Sequence, residues 1–195
     1  MLLFFDTETT GLRPGKICQI SYIMQDVNGV TAKNFYFTVP FVEPSAQMVH
    51  GLSCEKLKFL SGGKTFEDSI DEIAQDFKRA DCIVAHNLSF DLSFLRAEFE
   101  NCGVEFRYKE GFCSMKSATP ICKLTRSNGC AYKYPKLAEL TAFCGITERD
   151  INDFTWNYFG DDGDYHDARY DTSAMCLAVN KLINKGNFED LKRYL

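Results

Sequence analysis

The sequence predicts an α/β fold built on a single mixed sheet, and three observations predict it. The first forty residues read as three antiparallel strands, and from about residue 65 onward strands and helices alternate. A chain of 195 residues that is 45% hydrophobic and 14% aromatic suffices for one well-packed domain rather than two. The expectation is one domain over residues 1–195.

The elements follow in order. Met1 to Phe5 form an apolar strand that runs straight into Asp6-Thr7-Glu8. After the turn residues Gly11, Pro14 and Gly15, KICQISYIMQDV alternates as a strand, and Asn28-Gly29 turns it into VTAKNFYFTV. Pro40 and Pro44 break the pattern, and QMVHGLSCEKL reads as a short helix or turn with Ser53 as an N-cap. Thr65 leads FEDSIDEIAQDFKRA, whose Phe66, Ile70, Ile73, Ala74 and Phe77 fall at helical spacing. DCIVAHN is a short buried strand, followed by a helix over LSFDLSFLRAEFENCG that Gly103 closes. A weak strand is expected over 104–108 and a helix near 117–124. Pro135 then precedes a short helix in KLAELTAFCGI, and a last helix begins near His166 and runs to about Asn184.

Composition narrows the function classes. Nine cysteines (Cys18, Cys54, Cys82, Cys102, Cys113, Cys122, Cys130, Cys144, Cys176) are scattered with no Cys-x-x-Cys pair, so reduced thiols are expected, with neither a disulfide framework nor a zinc knuckle. The apolar run at the N-terminus stops at Asp6, too short for a signal peptide or membrane span, and a cytoplasmic protein without a membrane partner is expected. A net charge of −5 argues against a protein that coats nucleic acid non-specifically. Its distribution is uneven. From Gly111 to Ala138 stand Lys116, Lys123, Arg126, Lys133 and Lys136 with no acid; from Gly145 to Asp171 eight acids, including Asp162, Asp164 and Asp167, face only Arg149 and Arg169. A substrate-holding strip beside a metal-holding one would give this pattern, and so would two solvated faces.

Three acidic signals sit beside apolar elements: Asp6 with Glu8, Asp91 after VAHN, and Asp171 inside the last helix. Side chains two apart on a strand share a face, so Asp6 and Glu8 aim two charges into one spot, and close carboxylates repel unless a cation lies between them. Asp171 lies among Ala168, Thr172 and Ala174, small residues that let the helix approach the sheet, and burying an unpaired carboxylate costs several kcal/mol. A divalent metal removes that penalty. His166, five positions before Asp171, is rotated by about 500° from it on an ideal helix and so belongs to the preceding loop or first turn. There a histidine can take a proton at neutral pH without ligating a metal. His50 and His86 read as structural.

FDTETTGL, AHNLSFD and HDARYD, in this order, resemble the three motifs of the DEDDh 3′-to-5′ exonucleases, the DnaQ-like family of the proofreading epsilon subunit of bacterial DNA polymerase III. HGLSCEKL and PKLAEL resemble that family's connecting elements. The resemblance implies a ribonuclease H-like fold, a mixed five-stranded sheet flanked by helices. It implies that Asp6, Glu8 and Asp171 hold one of two Mg²⁺ or Mn²⁺ ions, that Asp6 bridges to the second, that Asp91 supports the second through water, and that His166 is the general base. The implied reaction hydrolyses phosphodiester bonds at 3′ ends of single-stranded or frayed DNA or RNA and releases nucleoside 5′-monophosphates. Thr7, Thr10 and Leu12 are implied to meet the 3′-terminal nucleotide; Asn87 could touch a phosphate or cap the next helix, and capping is the expectation. A polymerase or repair complex is a conceivable partner. The alternative is a catalytically idle nucleic-acid-binding module on the same scaffold.

Overall fold

Alternation of apolar residues in the first strand, β1 (Leu2–Thr9), sorts its side chains onto two layers. Leu2 and Phe4 face one cluster with Ile23, Val84, Met175 and Val179, whereas Leu3 and Phe5 face another with Ile73, Phe77, Ile83 and Leu92. The strand does not end at Phe5, as the sequence suggested, but carries Asp6, Thr7 and Glu8 within it. The computed structural model describes residues 1–126, 129, 131–161 and 166–195; Cys130, Asp162 and Asp164 lie outside the described residues.

The hairpin expected at Asn28-Gly29 joins β2 (Ile17–Asp26) to β3 (Gly29–Tyr36). β2 pairs antiparallel with β1, setting Asp6 opposite Ser21 and Glu8 opposite Gln19. On the other side β1 pairs parallel with β4 (Cys82–Ala85), which pairs parallel with β5 (Glu110–Cys113). The sheet order is β3-β2-β1-β4-β5, the mixed five-stranded arrangement expected. Pairing with β4 extends only to Phe4, so the Asp6–Thr9 end of β1 overhangs the carboxyl ends of the parallel strands. In open α/β sheets that edge is where ligands bind.

Helices cover both faces. Between β3 and β4 lie α1 (Pro44–His50), α2 (Cys54–Ser61) and α3 (Ile70–Arg79). Gly51, in the left-handed conformation, ends α1, and the Ser53 hydroxyl caps α2 by accepting from Lys56 N–H as expected. α4 (Leu88–Asn101) follows β4, and α5 (Ser114–Cys122) follows β5. α6 (Leu137–Cys144), α7 (Glu148–Phe159), α8 (Ala168–Asn184) and the short α9 (Glu189–Lys192) complete the chain. Helical spacing turns Ala168, Thr172, Met175, Cys176, Val179 and either Leu182 or Ile183 of α8 inward, and both of the last two are buried along with the rest.

Two expectations need correction. Residues 104–108 form no strand: Val104, Phe106 and Tyr108 turn alternately onto the core, and this mimics strand periodicity, but the ladder itself forms further on at β5. α7 was not anticipated. Its start is a reciprocal cap in which Thr147 N–H and Oγ1 donate to Asp150 while Thr147 Oγ1 accepts from Asp150 N–H.

Rings account for much of the aromatic content. Phe77 meets Phe5, Tyr22 and Phe106 at centroid distances of 5.0, 5.8 and 5.5 Å, and Phe106 continues through Phe99 to Phe66 and Phe37. At the rim of this layer α4 is tied to β2 by Glu98, only 1% exposed, whose carboxylate accepts from Ile17 N–H at 2.9 Å and from Lys16 Nζ at 2.8 Å. This bond fixes α4, and with it Asp91, against the strand beside β1. Glu98→Ala leaves the Ile17 N–H buried without a partner and should lower the unfolding free energy by about 2–3 kcal/mol in urea titrations, whereas Glu98→Gln, which still accepts, should cost less than half as much. Equal losses in both variants would contradict this role for the carboxylate.

Candidate active site

Strand alternation decides which helix each polar residue of β1 meets. Asp6 and Glu8 continue the row of Leu2 and Phe4 toward α8, and there one oxygen from each of Asp6, Glu8 and Asp171 lies within 4.8 Å of the others. Thr7 continues the row of Leu3 and Phe5 toward α4, where its Oγ1 donates to Asp91 Oδ1 at 2.8 Å. Asp91 is therefore held from the opposite layer and is not part of the three-residue cluster, yet after burial its charge has the largest influence on Asp6. The use of Thr7 as the holder of Asp91 went unforeseen.

α8 is registered on the sheet by polar bonds at its start. Gln19, fully buried opposite Glu8, donates from Nε2 to Asp167 Oδ1 at 2.9 Å and accepts from Ala168 N–H. Thr172 Oγ1 donates to Ser21 O at 3.2 Å. Asp167 is the N-cap of α8, accepting from Arg169 N–H, and Arg169 returns with its guanidinium to both Asp167 oxygens. These contacts set the height of Asp171 one turn further along, where its N–H donates to Asp167 O. Asp167 and Gln19 were not anticipated as site residues; the signal for Asp167 was its place directly before a helix and two residues from an arginine.

The electrostatics match a crowded, dry set of acids. Burial, then the charges of Asp91, Asp171, Glu8 and Asp167, raises Asp6 well above the ordinary carboxylate range. Burial and then Asp171, Asp167 and Asp91 do the same to Glu8. Burial pushes Asp91 up to about 7 against the opposing hydrogen bond from Thr7, and burial followed by Asp167 pushes Asp171 to about 7. Burial also pushes Asp167 up, but the bonds from Arg169 outweigh it and leave that acid below its usual value. Asp171 Oδ1 is buried with no hydrogen-bond partner. An orphaned buried oxygen beside two other carboxylates, with a fourth across the strand, fits a hard divalent cation bound through oxygen.

His166 lies just outside α8 with φ at 67°, and burial lowers its pKa. Burial also lowers the pKa of His50, and the charge of His166 adds to it in the same direction. His50 is structural as expected: Nδ1 accepts from Leu52 N–H, which leaves Nε2 to donate to Thr9 O at 3.2 Å. His86 sits between Ser114 Oγ and Pro135 O.

Beside the acids a cleft of about 300 Å³, mostly apolar, is lined by Thr7, Glu8, Leu12, Val49, His50 and Phe90 among others. Thr7 and the 82% exposed Leu12 thus line one cleft, joined there by Val49 and Phe90, which the sequence had not assigned to it. Thr10 is absent from this lining; its Oγ1 accepts from Lys16 N–H and closes the loop. A Cβ on Gly11 would stand 2.5 Å from the Glu43 carboxylate, the end of an exposed side chain that would have to move aside. Asn87 takes the N-cap position of α4 in the left-handed conformation, but its side chain accepts from Ser89 Oγ and caps no backbone N–H, contrary to expectation.

An acid whose folded pKa is raised loses stability as pH climbs from its unfolded to its folded value. Metal-free protein should therefore melt at a lower temperature near about pH 8 than near about pH 5, because Asp91 and Asp171 surrender stability between 3.8 and about 7. Asp171→Asn should flatten that fall and raise Tm at the alkaline end in EDTA. A Tm that climbs equally with pH in both proteins would show that the acids are not crowded.

Residues 3–179 match the family model described as Exonuclease. The chain is 32% identical over 160 residues to DNA polymerase III subunit epsilon of Salmonella typhimurium, covering 76% of this chain and 60% of that protein, and 28% identical over 200 residues to Ribonuclease T of Vibrio vulnificus, covering 92% and 82%. It thus spans about three fifths of the epsilon subunit's length. Exonuclease I of E. coli in complex with a dA16 oligonucleotide superposes with a TM-score of 0.74 at 20% identity, over 99% of this chain and 42% of that one. The shared fold, the match over most of the chain and the acidic centre agree, and the chain belongs to the DnaQ-like 3′-to-5′ exonuclease family of the ribonuclease H-like superfamily.

Proposed function

We propose that this chain hydrolyses the terminal phosphodiester bond at 3′ ends of single-stranded or frayed nucleic acid, releasing nucleoside 5′-monophosphates. The observation that carries this reading is the convergence of Asp6, Glu8 and Asp171 within 4.8 Å, with Asp171 Oδ1 buried and unpartnered. Asp6, Glu8 and Asp171 would hold one divalent cation, Mg²⁺ or Mn²⁺, with Asp6 and Asp91 serving a second. Such ions supply positive charge for the developing oxyanions of an in-line displacement and make water more acidic.

The chain's own residues do the rest. His166, whose burial favours the neutral imidazole, takes the proton of the attacking water. Thr7 holds Asp91 in place through its hydroxyl, and Gln19 with Asp167 holds the start of α8. The cleft between Leu12, Val49 and Phe90 receives the terminal nucleoside, its apolar lining excluding water from one side of the base. DNA and RNA are both single-strand substrates that such a site accommodates, and a polymerase or repair assembly is a partner of the kind the epsilon relatives' name describes.

Purified protein given Mg²⁺ or Mn²⁺ and a 3′-labelled oligonucleotide should release labelled mononucleotide, and EDTA should stop it; persistent release in EDTA, or none with either metal, contradicts the reading. Asp6→Ala and Asp171→Ala should abolish release in folded protein. His166→Ala should slow turnover by about 10² to 10⁴ while metal affinity, read by calorimetry, stays unchanged. A comparable loss of affinity would make the histidine a ligand instead. Thr7→Val, nearly isosteric, should lower kcat by about 10- to 100-fold with KM little altered; wild-type kcat would remove Thr7 from any role in placing Asp91.

A further inference from the structure

Between α5 and α6 two short arms, 124–126 and 131–133, pair antiparallel as the sides of a small hairpin that the catalytic reading leaves unused. Thr125 bridges to Tyr132, Arg126 N–H donates to Ala131 O, and Lys133 N–H donates to Leu124 O at 2.7 Å. The hairpin lies wholly within the stretch from Gly111 to Ala138 that carries five basic residues and no acid. Tyr132 and Tyr134 are 46% and 54% exposed, and Lys123, Arg126 and Lys136 are exposed beside them. Two apart on an extended arm, the tyrosines share a side. Lys133, between them, points elsewhere and pairs with Glu139 of α6.

The root of this arm is fixed to the site from two directions. Pro135 O accepts from His86 Nε2 at 2.9 Å, and His86 directly precedes Asn87 and the first turn of α4 that bears Asp91. Two and three residues beyond Pro135, Leu137 and Ala138 of α6 line a cleft of about 360 Å³ together with Tyr170 and Asp171. The root of the arm is therefore tied both to the turn that leads to Asp91 and to the helix that shares a cleft with Asp171, and its Lys123, Arg126 and Lys136 are exposed. Solvent-facing aromatic rings interleaved with cations are the chemistry of single-strand binding, where bases stack on rings and phosphates meet Lys or Arg.

We propose that Tyr132 and Tyr134, flanked by Arg126 and Lys136, bind nucleotides 5′ of the terminal one, so that this hairpin selects single-stranded polynucleotides over short esters or mononucleotides. The proposal rests on the exonuclease reading for its position in the substrate path, but not for its binding test. Fluorescent single strands of about ten nucleotides, oligo-dT and oligo-rU, are titrated in Ca²⁺ against wild type, Tyr132→Ala/Tyr134→Ala and Tyr132→Phe/Tyr134→Phe. The alanine protein should bind both strands about 10- to 100-fold more weakly, and the phenylalanine protein, which keeps the stacking faces, should bind as wild type does. Hydrolysis of the p-nitrophenyl ester of thymidine 5′-monophosphate, which reaches only the centre, should stay within about twofold of wild type in both. Unchanged strand affinity in the alanine protein overturns the proposal, as does an equal loss in the phenylalanine protein or a parallel loss of ester hydrolysis. If wild type fails to hydrolyse the ester, the exonuclease reading falls, while the affinity comparison still decides whether the hairpin binds single strands.

Discussion

Repulsion among desolvated carboxylates is the constraint on which the rest of this structure depends. Asp6, Glu8, Asp91 and Asp171 all have raised pKa values with burial as the first cause, and three of them lie within 4.8 Å of one another. In water such a group would spread apart. Here the surrounding framework holds it together, and the stability given up locally is recovered in the two apolar layers on either side of β1. The arrangement makes physical sense for a protein whose folded state is completed by a cation.

The geometry that enforces this crowding is simple. A strand aims alternate side chains at opposite layers, so one overhanging tripeptide, Asp6-Thr7-Glu8, reaches α8 with its acids and α4 with its hydroxyl. Each helix is then locked to the sheet by a buried polar bond: α8 through Gln19 to Asp167 and Thr172 to Ser21, α4 through Glu98 to Ile17. Directional bonds of this kind set register more sharply than apolar packing, which tolerates small slides. Asp167, kept ionised by its pairing with Arg169, adds negative potential at Asp6, Glu8 and Asp171.

Much of this was legible because it follows from period alone. The pairing of Asp6 with Glu8, the buried face of α8 and the place of His166 outside that helix all come from counting residues against 2 or 3.6 per turn. What escaped depended on tertiary partners. Val104, Phe106 and Tyr108 alternate because the core lies beneath them, although no neighbouring strand completes a ladder. The cap of α7 was hidden in a run of acids read as chemistry, although Thr147 three residues before Asp150 is a helix start. Asn87 adopts φ of 85°, which takes its side chain away from the backbone it was expected to cap. Thr7, Gln19 and Asp167 acquire meaning only when elements distant in sequence meet.

The account stands or falls on whether the converged acids bind a cation. Crystals soaked in Mn²⁺ and measured at its absorption edge test this without reference to any substrate. The account predicts an anomalous peak at about 2.0–2.3 Å from oxygens of Asp6, Glu8 and Asp171, satisfying the orphaned Asp171 Oδ1. A fully soaked crystal with no peak there, or with manganese bound only at other surface acids, would contradict it.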